Sequence, residues 1–359
     1  MNRKGITLIE LLVVLAILGI VLAMIYRSYI VVLKSQIQQS GIAQSNINNL
    51  IGLEMLRKDI EMAGFGLPWN ISVSYNEADY DSKYTPDPHD LNAEDSSKPE
   101  AFSFANNAGP DNSDVLVIRS SVAALNKYTE HWGYVYENLS DEVYYKALGG
   151  DGNIDDIYFA VVKPENMEFL KYVTDSDFGT TCKPGGNIYL FFGIDDNNPR
   201  MPFNRVDYYL KRPTDGMPKR CAPNTYELYR ATIRQSDGKR NEQPIMDCVV
   251  KFQVKFGLDN NSDGSIDDWS DAPYDNSVAN SDISKEIREQ LKQVKVFIVY
   301  QEGKKDPDFT FNQSFKLRDD TTDTSDEFTP TGDQKHYRWK MVELVVDPLN
   351  IKVRKRNLE

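Results

Sequence analysis

The run from residue 6 to residue 26 holds 21 residues and a single charge, Glu10. As a helix it would be about 31 Å long, enough to cross the hydrocarbon core of a bilayer. A carboxylate in that core costs roughly 3 kcal/mol even on lenient insertion scales, so Glu10 must serve something other than anchoring. Arg3 and Lys4 precede the run. Positive charge stays on the cytoplasmic side, which points the C-terminus outward. A secretory signal peptide has a shorter apolar region and a small-residue cleavage site, and no A-x-A pattern occurs after this run. A plain single-pass anchor explains the length and the flanking charges but not Glu10.

The residues in question read Gly5-Ile6-Thr7-Leu8-Ile9-Glu10. A short basic leader ending in Gly, then an apolar residue, then Glu at the fifth position after the Gly, resembles the type IV prepilin signal. The resemblance implies cleavage after Gly5 by a prepilin peptidase and methylation of the new amine on Ile6, where most members of that family have Phe. It also implies a role for Glu10 in assembly register. In a staggered helix bundle its carboxylate meets the Ile6 amine of a neighbour, so that two charges costly in an apolar core become a pair.

The helix is expected to continue beyond the membrane. Residues 27–63 contain no proline, and Ile47, Leu50, Leu53, Leu56, Ile60 and Ala63 recur at three or four residues as one apolar stripe. Gly64, Gly66 and Pro68 form a stop signal. The seam spans too few heptads for a coiled coil, and Gly41 and Gly52 simply lower helix propensity. The organisation expected is a leader over 1–5, a helix over 6–63 with 6–26 transmembrane, and a β-rich globular domain over 64–359.

Residues 70–112 are rich in Asp, Asn, Ser and Pro and read as a long irregular connection. Strand-like runs come next, among them 115–118, 157–162, 188–192, 206–210, 226–233, 249–256, 294–300, 341–346 and 351–353. Val250, Phe252, Val254 and Phe256 alternate with Lys251, Gln253 and Lys255, the pattern of a half-buried antiparallel strand. Residues 284–292 suit a short helix with Ile287 and Leu291 inward, and residues 318–334 an acidic loop. One helix followed by many strands gives an α+β class: a long, partly transmembrane helix packed on an antiparallel sheet. That is also the pilin architecture. The stretches "LEMLRKDIEMAGFGLP", "YELYRA", "VVKFQVKFGLDNNSDGSIDDW" and "VKVFIVYQ" resemble PilW-like minor pilins in order and spacing.

The net charge of −13 argues against nucleic acid, which needs a basic surface. No nucleophile elbow, phosphate loop, dinucleotide fingerprint or zinc-protease helix occurs. His89, His131 and His336 are scattered, and acidic pairs such as Asp155-Asp156 read as solvated loops. No enzyme is expected. The resemblance implies a structural subunit that primes or caps a type IV pilus. It would sit in the inner membrane with a periplasmic domain and then move to the pilus at the cell surface. Its implied partners are the major pilin, other minor pilins, the inner-membrane assembly platform and a tip adhesin. A minor pseudopilin of type II secretion carries the same signal. A carbohydrate- or surface-binding module is the third reading, on the tyrosine content and Trp132, although core packing is the better account of such aromatics.

Two further expectations concern the globular domain. Among three cysteines, Cys182 and Cys221 lie in turn-like "TTCKPGG" and "KRCAPN" and are expected to pair, leaving Cys248 as a buried thiol. In "DNNSDGSIDDW", Asp259, Asn261 and Asp263 alternate, Gly264 permits a turn, Ser265 offers its carbonyl and Asp267 falls ninth. This is the order of oxygens in an EF-hand-like calcium loop, with Ser270 in place of the usual twelfth-position Glu. The same residues also make an Asp- and Gly-rich hairpin turn that needs no metal.

Overall fold

The computed structural model describes the chain apart from residues 1–6, 127, 130, 138–142, 148–157, 175–177, 180–186, 195–198, 276–281, 318–326 and 352–359. Its first element is a 54-residue helix, α1, Leu8–Glu61. Thr7 caps it in a reciprocal box: the Glu10 N–H donates to Thr7 Oγ1 at 3.4 Å, and the Thr7 N–H donates to Glu10 Oε2 at 3.0 Å. At the far end Gly64 and Gly66 take φ of +76° and +65°, conformations only glycine adopts freely, and the chain turns away.

The helix has two regimes. Leu8–Ala43 is the apolar one, with a mean hydropathy of 3.1 over a window none of which is buried in the molecule. Further on, Asn49, Gly52, Leu56, Asp59, Ile60 and Ala63 are buried against the globular domain. This corrects the expected stripe at one end, since Ile47 and Leu50 are 56 % and 67 % exposed. The reason is the closeness of helix and sheet. A Cβ on Gly52 would lie 2.5 Å from the Ile245 carbonyl oxygen, so the backbones meet where the helix has no side chain. Gly52 is therefore a contact residue, and the apolar residues next to it point outward.

The strands in chain order are β1 Asn70–Ile71, β2 Phe102–Ala105, β3 Val115–Ser120, β4 Trp132–Glu137, β5 Val143–Ala147, β6 Tyr158–Lys163, β7 Glu168–Thr174, β8 Phe178–Gly179 and β9 Ile188–Ile194. They continue with β10 Asn204–Lys211, β11 Tyr226–Ile233, β12 Arg240–Leu258, β13 Asp268–Ser270, β14 Leu291–Glu302, β15 Phe315–Lys316, β16 Glu327–Phe328 and β17 Arg338–Val346. A short helix, α2 Ile283–Gln290, leads into β14, with Ile287 and Leu291 buried. Among the described residues the strands form a large sheet ordered β17-β14-β12-β11-β10-β3-β2, with β13 also on β12, a second sheet ordered β1-β7-β6-β9-β4-β5-β8, and a two-stranded antiparallel pair β15-β16. The large sheet is antiparallel throughout and carries α1 against β12, β14 and β17.

β3 and β10 pair directly, with Ser120 opposite Asn204. Everything between them is therefore an insertion, and strands β4 to β9 of the second sheet belong to it. Residues of both sheets share one core with the helix end: Leu56, Ile60, Phe252 and Ile298 join Ala160, Phe169 and Ile194. The stretch 250–256 of β12, expected to be half-buried, is instead covered on both faces. Gln253 is fully buried, Lys251 donates to the Asp111 carbonyl at 2.5 Å, and Lys255 pairs with Asp271. A register shift between Val249 and Lys251 also turns Val250 to the face opposite Phe252, beside Phe297 and Val299. An extra residue in one strand flips all that come after it.

The connection over 70–112 reads as irregular but is fixed by buried charge. Glu77 Oε2 accepts from Arg119 Nε at 3.0 Å and from Arg205 Nη1 at 3.1 Å. Arg119 Nη2 also donates to the Leu91 carbonyl, and Arg205 Nη2 to the Pro88 carbonyl. Two arginines of the large sheet thus bind both the backbone and a buried acid of a segment that has little regular structure of its own.

Candidate functional site

The feature with functional content is the long helix, together with the means by which it is fixed to its domain. Gly5 and Ile6, the residues expected at the cleavage and methylation point, lie outside the described residues. Glu10 is in the first turn, exposed, with its carboxylate received by the Thr7 backbone amide and by the Thr7 hydroxyl at 3.1 Å. A carboxylate in the first turn also faces the positive end of the helix dipole.

Near the other end of the helix, Asp59 is its polar fastening. Its Oδ2 accepts from Tyr208 Oη on β10 at 2.6 Å and from Arg230 Nε on β11 at 2.7 Å, and all three side chains are buried. Arg230 Nη2 donates onward to the Ala123 carbonyl at 2.5 Å, at the start of the insertion. One guanidinium therefore ties the helix, the large sheet and the base of the second sheet together. The low dielectric around such a group strengthens each bond and makes any unpaired member costly. Beyond the helix end, the Leu349 N–H donates to the Glu61 carbonyl at 3.0 Å, so the chain after β17 caps α1.

The disulfide differs from expectation. Cys221 pairs with Cys248 across a separation of 27 residues, and Cys182 lies outside the described residues. Cys248 sits in β12 at φ +54°, close to the register shift, and this turns its side chain toward the 212–225 connection. Loop closure of this length stabilises by about 3.5 kcal/mol in the chain-entropy model.

The five residues read as calcium ligands come together in the turn between β12 and β13. Buried Asp259 accepts from the amides of Asp263 at 3.1 Å and Gly264 at 2.9 Å. Asn261 Oδ1 accepts from the Asp263 N–H at 2.9 Å, Asp263 Oδ1 from the Ser265 N–H at 2.7 Å, and Asp267 Oδ2 from the Asn260 N–H at 2.8 Å. Lys292 Nζ lies 3.2 Å from Asp259 Oδ2. Desolvation pushes the Asp259 carboxyl up, but Lys292 and the Gly264 and Ser262 amides outweigh it and hold the group below its usual range. Among the described residues no three His, Cys, Asp or Glu side chains gather as a metal site. In this conformation the oxygens face the loop's own amides. Trp132 is 40 % exposed and meets Phe65 edge-on, with ring centroids 5.6 Å apart.

No local signal marks Asp59, Tyr208, Arg230, Arg119 or Arg205 as buried partners. Each looks like an ordinary surface residue on an amphipathic element, and the partners are more than 40 residues apart in every long-range pair.

Comparison with known families places two segments. Residues 1–26 match the prokaryotic N-terminal methylation motif, and residues 207–350 match type IV pilus-assembly protein W, PilW. The second match runs from β10 to just past β17, the part of the large sheet that receives α1, and leaves out the inserted strands. No curated protein and no solved structure matches the chain significantly. The two matches together support a PilW-like type IV pilin, a membrane-anchored pilus component with a globular domain.

Proposed function

We propose that this PilW-like pilin is a minor structural subunit that primes or caps a type IV pilus. The observation that carries the reading is the bare helix Leu8–Ala43, continuous with a segment locked into the domain by Asp59 and Arg230. Such a helix suits lipid first and a bundle of like helices afterwards. Cleavage after Gly5 frees the Ile6 amine, and the Glu10 carboxylate of one subunit pairs with that amine on its neighbour. The domain faces the periplasm before assembly, in keeping with the basic residues Arg3 and Lys4 ahead of the span. A second sheet inserted between β3 and β10 adds bulk that a filament end accommodates, since nothing stacks above it there. Deleting the gene and labelling a tagged chain on purified pili tests the role. Few pili in the deletion strain and label confined to filament ends are expected; even labelling along the shaft contradicts the role.

We further propose that calcium competes with Lys292 for Asp259, with Asn261, Asp263, Ser265 and Asp267 completing the oxygen set. Support comes from the register of these residues and from the way their side chains already fold into one turn. A fragment beginning at Arg27 is melted with calcium and with chelator. Calcium is expected to raise the midpoint, and to raise it more in Lys292→Ala. No shift in either protein, or an equal shift in the Asp259→Ala, Asp263→Ala double variant, overturns the proposal.

A further inference from the structure

The large sheet ends at β2, whose outer edge carries no strand among the described residues. A pocket of about 90 Å³ opens there. Phe102, Phe104, Tyr274 and Ile283 give it apolar walls, and Glu94 and Glu100 make it acidic. Glu100 is 4 % exposed. Its Oε1 accepts from Ser103 Oγ at 2.6 Å and lies 3.6 Å from Arg119 Nη1, while no described group donates to its Oε2. Glu286, on α2, has a buried Oε2 without a hydrogen-bond partner among the described residues. The cations nearby are engaged elsewhere: Lys98 pairs with Asp282 at 2.8 Å, and Arg288 lies over the Trp69 ring. Burial, and then the charges of Glu94, Glu100 and Glu286, push the Tyr274 hydroxyl above its usual range. Such a pocket suits a long cationic side chain, whose stem covers the walls and whose head meets the acids.

We infer that the cation comes from this chain's own C-terminal segment, residues 352–356. Four of these five residues are cations, Lys352, Arg354, Lys355 and Arg356, in a chain of net charge −13. The root of the segment is placed for this. After β17 the Leu349 N–H donates to the Glu61 carbonyl, and Ile351 is buried. A Cβ on Gly64 would meet Ile351 at 3.4 Å and Ala101 at 3.5 Å. The chain has thus passed the end of α1, from one edge strand of the large sheet to the start of the other. Ala101 stands between Glu100 and Phe102, both of which line the pocket. Residues 352–359 can span up to about 27 Å, and β2 is only four residues long. Seated in the pocket, the segment straps the end of α1 to the far edge of the sheet and covers an open strand edge with charge.

The test is carbodiimide crosslinking of the full-length chain in detergent, in an equal mixture of unlabelled and nitrogen-15-labelled protein. Expected are amide links from Lys352 or Lys355 to Glu94, Glu100 or Glu286 within one chain. Limited trypsin digestion gives a second reading, because all four cations are cleavage points. Glu94→Lys, at an exposed position, should speed release of the C-terminal peptides at least about fivefold, with far-ultraviolet circular dichroism unchanged. Links found only between chains, or none to these three acids, overturn the inference, as does equal release from wild type and Glu94→Lys.

Discussion

Asp59 shows how little a side chain's role can be judged from its neighbours in sequence. Between Lys58 and Ile60 it reads as the solvent edge of an amphipathic helix, yet it is buried and holds Tyr208 and Arg230. Removing one member of such a pair leaves the other charge stranded. Asp59→Ala should therefore cost about 3–5 kcal/mol in urea unfolding. The double variant Asp59→Ala, Arg230→Met should recover part of that loss; a double variant no more stable than the single would show that the pair is not the fastening. Asp207 allows a prediction in pH. Burial alone would raise its carboxyl, but Arg205 and Arg240 overcome this and hold it below the usual carboxylate range. The folded pKa thus lies under the unfolded one. The stabilisation is complete above about pH 4 and is lost as pH falls through the folded value. Acid titration followed by tyrosine fluorescence should show unfolding below that range, and stability unchanged down to pH 2 would contradict it.

At the scale of elements, legibility tracks locality. The helix and its terminal signal are written in consecutive residues, so length, caps and the odd charge are all readable. Strands β10, β11, β12 and β14 announce themselves by β-branched and aromatic runs. The inserted strands β4, β5 and β7, with "WGYVYE", "VYYKA" and "EFLKYVT", mix tyrosine with charge and give no clean period of two. The disulfide escapes a sequence reading because its pairing is decided by a shift in the β11–β12–β14 register that no spacing of cysteines encodes. The buried stripe on α1 departs from the apolar periodicity because a glycine, not an apolar side chain, makes the closest contact. Leu56, Ile60 and Ala63 nonetheless belong to the main core, so helix and domain are one folding unit. A fragment beginning at Arg27 should unfold cooperatively, whereas one beginning at Phe65 should lack a sharp thermal transition. Equal midpoints for the two would show that the helix end contributes nothing to the fold.

On the scale of the whole molecule, the chain joins three parts with different surroundings. The lower helix suits lipid and then other helices, the large sheet holds the helix, and the inserted sheet adds a surface of its own. The family match falls on the sheet that grips α1, and the methylation motif on the helix start. The inserted strands lie outside the family match, and no local signal in them points to a second sheet. Arg230, on the large sheet, bonds Asp59 near the end of the helix and the Ala123 carbonyl at the start of the insertion.

The central claim is that this chain is processed as a prepilin and built into a filament through its helix. Intact-mass and N-terminal peptide analysis of the chain recovered from sheared, washed pili tests it most directly. The account predicts a chain that begins at Ile6 with one methyl group on its amine, present for the wild type and depleted for a Glu10→Ala variant that still reaches the membrane. A chain in the filament that still carries Met1, or Glu10→Ala recovered at the wild-type level, would contradict it.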